Sequence, residues 1–362
     1  KSEGFGIDQQ YVYGISNSVF SSANVDYYVR IVKDKAVKRE LWRINATSAE
    51  DLVQGNKPGI EIANDLEQKA GDIATSNQVG SYVKIGTVLP QTINKIKFYQ
   101  EHPDELLGLP SGFKSIDNIL GGIRDEDYVI LGARPSVGKS AMMQSMFDSL
   151  AIDLNIPVGV FSCEMSKESI NERQVFSRSG ITKRRIKMGH LRPDQYGRIE
   201  EACTKIHQAP IYIDDTPNIP LSLFRSSARK MIRNEGVKII FIDYLTLIDS
   251  EKPSLKGWEQ VSHISRQLKC FCRETHVPIV ALSQLKREAQ GKRPNLADLR
   301  ESGAIEQDAD IIFFLHREKE PEINAEIIET ELICAKQRNG PVGTIKLNFY
   351  PELVKFEDAE TT

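Results

Sequence analysis

The chain has few cysteines, no long apolar run and no excess of positive charge, and each scarcity removes a class of function. Its five cysteines among 362 residues, Cys163, Cys203, Cys270, Cys272 and Cys334, form no C-x-x-C pair and have no histidine at metal-ligand spacing. Neither a zinc site nor a disulfide framework is therefore expected, and the thiols read as reduced ones in a cytoplasmic protein. No stretch of about 18 apolar residues is present, and the N-terminus lacks a charged segment followed by an apolar one, so no membrane span, signal peptide or membrane partner is expected. The chain opens on Lys1 rather than Met, which points to a sequence incomplete at its N-terminus. A formal net charge of −3 excludes a uniformly basic surface, so any nucleic-acid partner has to be held by local basic loops. Internal repeats and low-complexity tracts are also missing.

What is there suggests two domains, or one large domain with an appendage, built on an ordinary hydrophobic content of 40 %. Residues 1–85 read as a partial helical domain. Ser22 and Asn24 suit a helix cap ahead of the apolar face Val25, Tyr28, Val29, Val32 and Ala36, and Thr47-Ser48-Ala49-Glu50 has the reciprocal capping pattern for a following helix. Asn56-Lys57-Pro58-Gly59 breaks the chain, and Ile62, Leu66, Ala70 and Ile73 resume a helical face. Residues 86–104 read as a linker, with one short amphipathic helix between Thr87 and His102. From 105 to 362 the pattern alternates strands and helices, with strands expected at 127–133, 158–162, 211–213, 237–243, 277–283, 311–316, 331–336 and 344–349. Buried apolar strands separated by helices imply an α/β fold, a mainly parallel sheet with helices on both faces. The last two strands, close together across Arg338-Asn339-Gly340-Pro341, imply an antiparallel hairpin.

The most informative stretch is Ala133-Arg134-Pro135-Ser136-Val137-Gly138-Lys139-Ser140, set between the apolar run Tyr128-Val129-Ile130-Leu131 and the periodicity Met142, Met143, Met146, Phe147, Leu150. In a strand–loop–helix of this type, backbone N–H groups wrap phosphates, the helix N-terminus adds positive dipole, the lysine reaches β and γ oxygens and the serine hydroxyl ligates Mg²⁺. The usual pattern has glycine where Ala133 stands, with Gly132 one residue earlier. Other strand ends carry further chemistry. Asp243 ends a buried strand and can hold the Mg²⁺ water shell beside Ser140, or merely cap a turn. Glu164 follows the strand at 158–162, from where a carboxylate can orient and deprotonate a water attacking the γ-phosphate; without that context it is an ordinary helix-start residue. Gln284 ends the strand at 277–283 and can sense the γ-phosphate. The loop after it carries Lys286, Arg287, Lys292 and Arg293, then Arg300-Glu301-Ser302-Gly303, a composition that suits tracking a phosphodiester backbone as well as it suits a solvated basic loop. Lys336 and Arg338 sit late in the sheet, where Arg338 is either a hairpin arginine or, in a ring, a finger for the neighbouring site.

Taken together, Ala133 to Ser140, Phe161-Ser162-Cys163-Glu164-Met165-Ser166, Ile211 to Pro217, Ile242-Asp243-Tyr244-Leu245, Ala281 to Leu285, Asp298 to Gly303 with Ile305 to Asp310, and Lys336 to Gly340 resemble the replicative helicases of the DnaB family. The order and spacing agree over roughly 105–350; Ser22 to Ala46 also looks like the later part of that family's N-terminal helical domain. Ala133 is usual in the family, whereas the loop from Lys286 to Pro294 is shorter than its pattern leads one to expect. The resemblance implies a RecA-like P-loop NTPase domain that uses ATP and Mg²⁺, assembles as a homohexamer, moves 5′-to-3′ on single-stranded DNA and opens forked duplex. It implies that Lys139 and Ser140 hold phosphate and metal, Asp243 supports the metal, Glu164 activates water and Gln284 senses the γ-phosphate. It further implies that Arg338 with Lys336 acts in trans, that Arg173 stacks on the nucleotide base, and that Arg300, Glu301 and Gly303 line the DNA channel. The linker helix would pack on an adjacent subunit and the N-terminal helices would engage a primase or a loader. A RecA-type recombinase and a non-hydrolysing nucleotide-bound scaffold share parts of the pattern; the first forms a filament, and the second needs neither Glu164 nor Arg338.

Overall fold

The computed structural model describes residues 25–55, 57–76, 84–102, 105–189, 191–252, 254–285, 292–299, 303–318 and 325–359. They fall into two compact units that divide between Thr87 and Val88. In the first, helix α1 spans Val25–Gln54 and α2 spans Gly59–Ser76. The capping pattern at Thr47 to Glu50 does not start a new helix. No glycine or proline interrupts 47–54, and the Thr47 hydroxyl donates to the Arg43 carbonyl at 3.1 Å within α1, so the helix runs on. It stops at Gly55, whose φ of 65° is the left-handed geometry that ends helices without strain in glycine. The Pro58 carbonyl then opens α2 by accepting from Glu61 and Ile62 N–H at 3.0 and 3.2 Å. The expected cap residues Ser22 and Asn24 lie outside the described residues.

In the second unit, α3 (Leu89–Glu101) starts with proline in its first turn and leaves Leu89, Ile93, Ile96 and Phe98 exposed. After α4 (Lys114–Leu120) come β1 (Tyr128–Ala133), α5 (Lys139–Asp148), β2 (Val158–Ser162), α6 (Lys167–Ser179), α7 (Lys183–Lys187), α8 (Pro193–Gln208), β3 (Ile211–Asp214), α9 (Leu221–Glu235), β4 (Ile239–Asp243), α10 (Gly257–Thr275), β5 (Ile279–Gln284), α11 (Gly303–Asp308), β6 (Ile311–His316), β7 (Ile328–Gln337), β8 (Gly343–Tyr350) and β9 (Lys355–Asp358). These strands form one sheet in the order β3-β2-β4-β5-β1-β6-β7-β8-β9. The pairs from β3 to β6 are parallel, and the remaining three are antiparallel. All eight expected strands are present. The ninth has no signal in the sequence, because Lys355-Phe356-Glu357-Asp358 has a single apolar residue and no periodicity to read.

Alternation along the parallel strands sends side chains to both faces, so each face carries its own core. Val129, Leu131, Val160 and Phe241 pack with Met142, Met143, Met146 and Phe147 of α5. Ile130, Ile240, Ile242 and Ala281 pack on the other side with Phe224 of α9 and with Leu268 and Phe271 of α10. Beside the first core, the wholly buried Asp148 on α5 accepts from the Gln174 amide of α6 at 2.6 Å, and burial pushes its carboxyl up to about 6. Among the described residues no helix is long and apolar enough to cross a membrane.

Candidate functional site

In a parallel sheet every strand delivers its last residue to the same edge, and the register shows which residues share it. Ala133 at the end of β1 lies between Gln284 of β5 and Leu315 of β6, while Asp243 of β4 lies beside Ser162 of β2. Glu164 emerges two residues after Ser162. Ala133, Glu164, Asp243 and Gln284 are thus brought to one edge, and the segment 134–138 leaves β1 at its centre.

Ala133 is the buried last residue of β1 and adopts ordinary strand geometry, so it needs no glycine; close packing falls instead on Gly132, where a Cβ would lie 2.8 Å from the Phe314 ring. The turn that follows uses two left-handed positions, Ser136 at φ 66° and Gly138 at φ 104°. A side chain at Gly138 would also meet the Phe356 ring at 3.0 Å, so both conformation and space select glycine there. Lys139 and Ser140 open α5. The Arg134 guanidinium donates to the Lys292 carbonyl at 2.5 Å, away from the turn.

The Lys139 ammonium is 3.8 Å from Asp243 Oδ1 and 4.4 Å from the Tyr244 ring centre. Burial holds its pKa below the usual lysine range, while Asp243 and then Glu164 pull in the opposite direction. Asp243 is 2 % exposed, and its Oδ1 has no hydrogen-bond partner among the described residues. A buried carboxylate oxygen without a hydrogen-bond partner, beside the lysine that opens α5, suits a hydrated divalent cation. No group of three or more metal-ligating side chains forms among the described residues, so a cation held there would need ligands from outside the protein as well.

The turn carrying Glu164 is fixed locally. Ser162 Oγ donates to the Met165 carbonyl at 2.7 Å and accepts from its N–H at 3.3 Å, and Cys163 N–H donates to the Asp243 carbonyl at 2.9 Å. The Glu164 side chain is exposed. Ser166 caps α6 by accepting from Ser169 N–H at 3.3 Å, and Arg173 sits half-buried further along that helix.

Two expected groups lie elsewhere. Lys336 donates to the carbonyls of Glu306 and Ala309, the latter at 2.7 Å, and Arg338 donates to the Gln307 carbonyl and pairs with Asp310 at 3.3 Å. Both cations therefore cap the carboxyl end of α11, at the start of β6 rather than at its end. Of the basic loop, Lys286, Arg287, Arg300 and Glu301 lie outside the described residues. The loop leaves and returns at one place, because Leu285 and Leu299 pair in an antiparallel bridge. Lys292 is exposed, and Arg293 donates to the Thr344 hydroxyl at 2.8 Å and pairs with Glu331 at 3.3 Å. Gly303 is exposed and opens α11. Three further residues border the turn: Tyr244 against Lys139, Phe356 under Gly138, and Arg317 on the Ser136 and Val137 carbonyls. Only Tyr244 has a sequence signal, its place immediately after Asp243.

Residues 108–358 match the family described as DnaB-like helicase C terminal domain. Over 350 residues the chain is 39 % identical to the replicative DNA helicase DnaB of Treponema pallidum (strain Nichols), covering 96 % of this chain and 78 % of that protein. It is 38 % identical over 358 residues to the replicative DNA helicase DnaB of Geobacillus stearothermophilus, covering 97 % and 78 %. Among solved structures, one described as a DnaB-like replicative helicase and its interactions with primase superposes with a TM-score of 0.78 at 32 % identity, covering 97 % of this chain and 83 % of that one. A second solved structure, described as an ATPase domain, superposes with a TM-score of 0.70 at 35 % identity, covering 77 % of this chain and all of that one.

Proposed function

Because the chain belongs to the DnaB family of replicative DNA helicases, ATP-driven enzymes that unwind DNA, we propose that the edge formed by β1, β2, β4 and β5 is its site of ATP hydrolysis. The observation that carries the reading is the buried Asp243 oxygen without a partner, set against Lys139 where the turn 134–138 opens α5. ATP fills that arrangement. Residues 133–140 wrap its phosphates with backbone N–H groups, the Lys139 ammonium takes β and γ oxygens, and Arg173 stacks on the base. Ser140 and Asp243 hold Mg²⁺, which when bound draws charge off the phosphate oxygens. Glu164 accepts the proton of the attacking water, and Gln284 reads whether the γ-phosphate is present. Burial suits Lys139 to this task, since a poorly solvated ammonium gains more from an arriving phosphate than a hydrated one does.

Arg338, with Lys336, serves a neighbouring subunit's nucleotide in a homohexameric ring. The loop with Lys286, Arg287, Lys292 and Arg293, together with Arg300, Glu301 and Gly303, tracks one DNA strand through the channel in the 5′-to-3′ direction. Residues 1–85 form a collar for a primase or a loader, a reading supported by the primase interactions of the similar solved structure. Residues 86–104 link that collar to the motor at 105–362 and dock α3 on the adjacent subunit. The setting is the cytoplasm of a bacterium or of a phage-infected host.

Unwinding of a forked duplex tests the reading. ATP should release the displaced strand and a non-hydrolysable analogue should not. Strand release with the analogue, or none with ATP from a chain that hydrolyses it, would sink the motor assignment.

A further inference from the structure

Arg317, the first residue after β6, reaches the turn 134–138 through two of its carbonyls. Its Nη2 donates to the Val137 carbonyl at 2.7 Å and its Nη1 to the Ser136 carbonyl at 3.5 Å. The other end of the guanidinium is fixed as well. Its Nε donates to Thr330 Oγ1 at 3.3 Å, and its carbon lies 4.8 Å from the centre of the Phe349 ring. Thr330 is fully buried and its hydroxyl also donates to the Ile328 carbonyl at 3.3 Å. Among the described residues no carboxylate pairs with Arg317, so two carbonyls of the turn are its principal acceptors. That is an unusual use of a half-buried cation, which ordinarily finds an acid.

Peptide geometry says what this arrangement accomplishes. In a trans peptide the C=O and the following N–H point to opposite sides. A donor that holds the Val137 carbonyl therefore turns the Gly138 N–H to the opposite side of that peptide, while the N–H that follows the Ser136 carbonyl, that of Val137, closes the turn on the Arg134 carbonyl at 3.4 Å. The donor also braces the left-handed Ser136, a conformation that an ordinary residue seldom adopts. A charged donor polarises the peptide units it binds and makes their N–H groups better donors.

We propose that Arg317 is a positioning residue for nucleotide phosphate: clamped by Thr330 and Phe349, it holds the Ser136 and Val137 carbonyls so that the turn keeps its shape and the Gly138 N–H faces the phosphates. The inference rests on residues 133–140 being the phosphate loop. It assigns to the end of β6 a part in affinity for nucleoside di- and triphosphates that is separate from hydrolysis.

The test compares ADP binding by a fluorescent ADP analogue with steady-state ATPase. Removing a charge-assisted hydrogen bond should make Arg317→Gln raise the ADP Kd and the ATP KM about tenfold while kcat falls less than about threefold. Arg317→Lys, a point charge that can serve one carbonyl, should recover part of the affinity, and AMP, which has no β-phosphate, should bind all the variants alike. Thr330→Val, which keeps the shape and removes the acceptor for Nε, should shift Kd and KM in the same direction by a smaller factor and decides the matter if Arg317→Gln does not fold. Lys139→Ala serves as the reference. If it abolishes ADP binding while Arg317→Gln and Thr330→Val bind as the parent does, or lower only kcat, this proposal fails and the phosphate loop stands. If Lys139→Ala binds ADP normally, the phosphate-loop assignment itself fails.

Discussion

Arg338 and Asp310 form an ion pair of 3.3 Å at the edge of the sheet opposite the turn 134–138. The register fixes the separation: Gln337 pairs with Ile311 at the start of β6, whereas Ala133 pairs with Leu315 near its end. Four strand positions lie between, about 13 Å at the usual rise per residue. Asp310 has other partners, accepting from Tyr128 N–H at 2.9 Å and pairing with Lys269 at 2.6 Å. Arg338 can therefore leave without stranding a buried charge on Asp310, giving up one ion pair and its hydrogen bond to the Gln307 carbonyl.

From that placement follows an assay by mixing. Arg338→Ala subunits should hydrolyse little ATP alone, because no neighbour receives a finger worth about 10³ to 10⁵ in rate. Co-assembly with Lys139→Ala subunits should restore part of the activity, since some interfaces then join an intact loop to an intact finger. Verified mixed rings no more active than either pure variant, together with concentration-independent parent ATPase, would place the finger in cis.

Glu164→Gln should keep nucleotide affinity within about twofold and lower kcat by about 10² to 10⁴, the usual worth of a general base. The amide preserves the shape and the turn held by Ser162, but it cannot take the proton. Pre-steady-state and steady-state ATPase measured beside ADP titration separates the two; an unaltered kcat removes Glu164 from its assigned role.

For the channel, the affinity for single-stranded DNA should fall with salt, and Arg300→Ala should flatten the slope by about 0.7 in log K per log salt for each phosphate it no longer neutralises. Basal ATPase without DNA should persist. An unchanged slope in a variant that still unwinds would take Arg300 out of the DNA path.

Asp148 gives a stability prediction with a definite sign. Its carboxyl is pushed up to about 6 from an ordinary 3.8, chiefly by burial, so the folded chain binds this proton more tightly than the unfolded one. The contribution is favourable below about pH 4, declines as pH rises through 4 to 6, and is lost above that, a change of about 3 kcal/mol. Asp148→Asn cannot ionise. The difference in unfolding free energy between parent and variant should therefore move by about that amount in the variant's favour between pH 4 and pH 7, while parallel curves would mean that Asp148 titrates normally.

Much of the motor is legible in the sequence because its information is local. A strand, a Gly-Lys-Ser and a helix are contiguous, and a buried parallel strand ending in a carboxylate announces both its element and its edge; Ala133, Glu164, Asp243 and Gln284 can be found this way. What stays hidden depends on long-range pairing. Arg317 looks like any cation after a strand until the sheet brings it under Ser136 and Val137, and Phe356 is one aromatic among charges until β9 docks. The N-terminal reading fails at Thr47 for a different reason. A hydroxyl that caps a helix satisfies itself equally well inside one, and only the absence of glycine or proline before Gly55 decides between the two.

The Phe356 ring under Gly138 has a further consequence, one of timing. Phe356 N–H also donates to Ser145 Oγ at 2.9 Å, joining positions 211 residues apart. Pairings between such distant segments form late, after the intervening loops have been closed. A chain in which β9 has not docked lacks the ring on which the turn at Gly138 rests. Removing β9 would therefore take away the packing against Gly138 that excludes a side chain there.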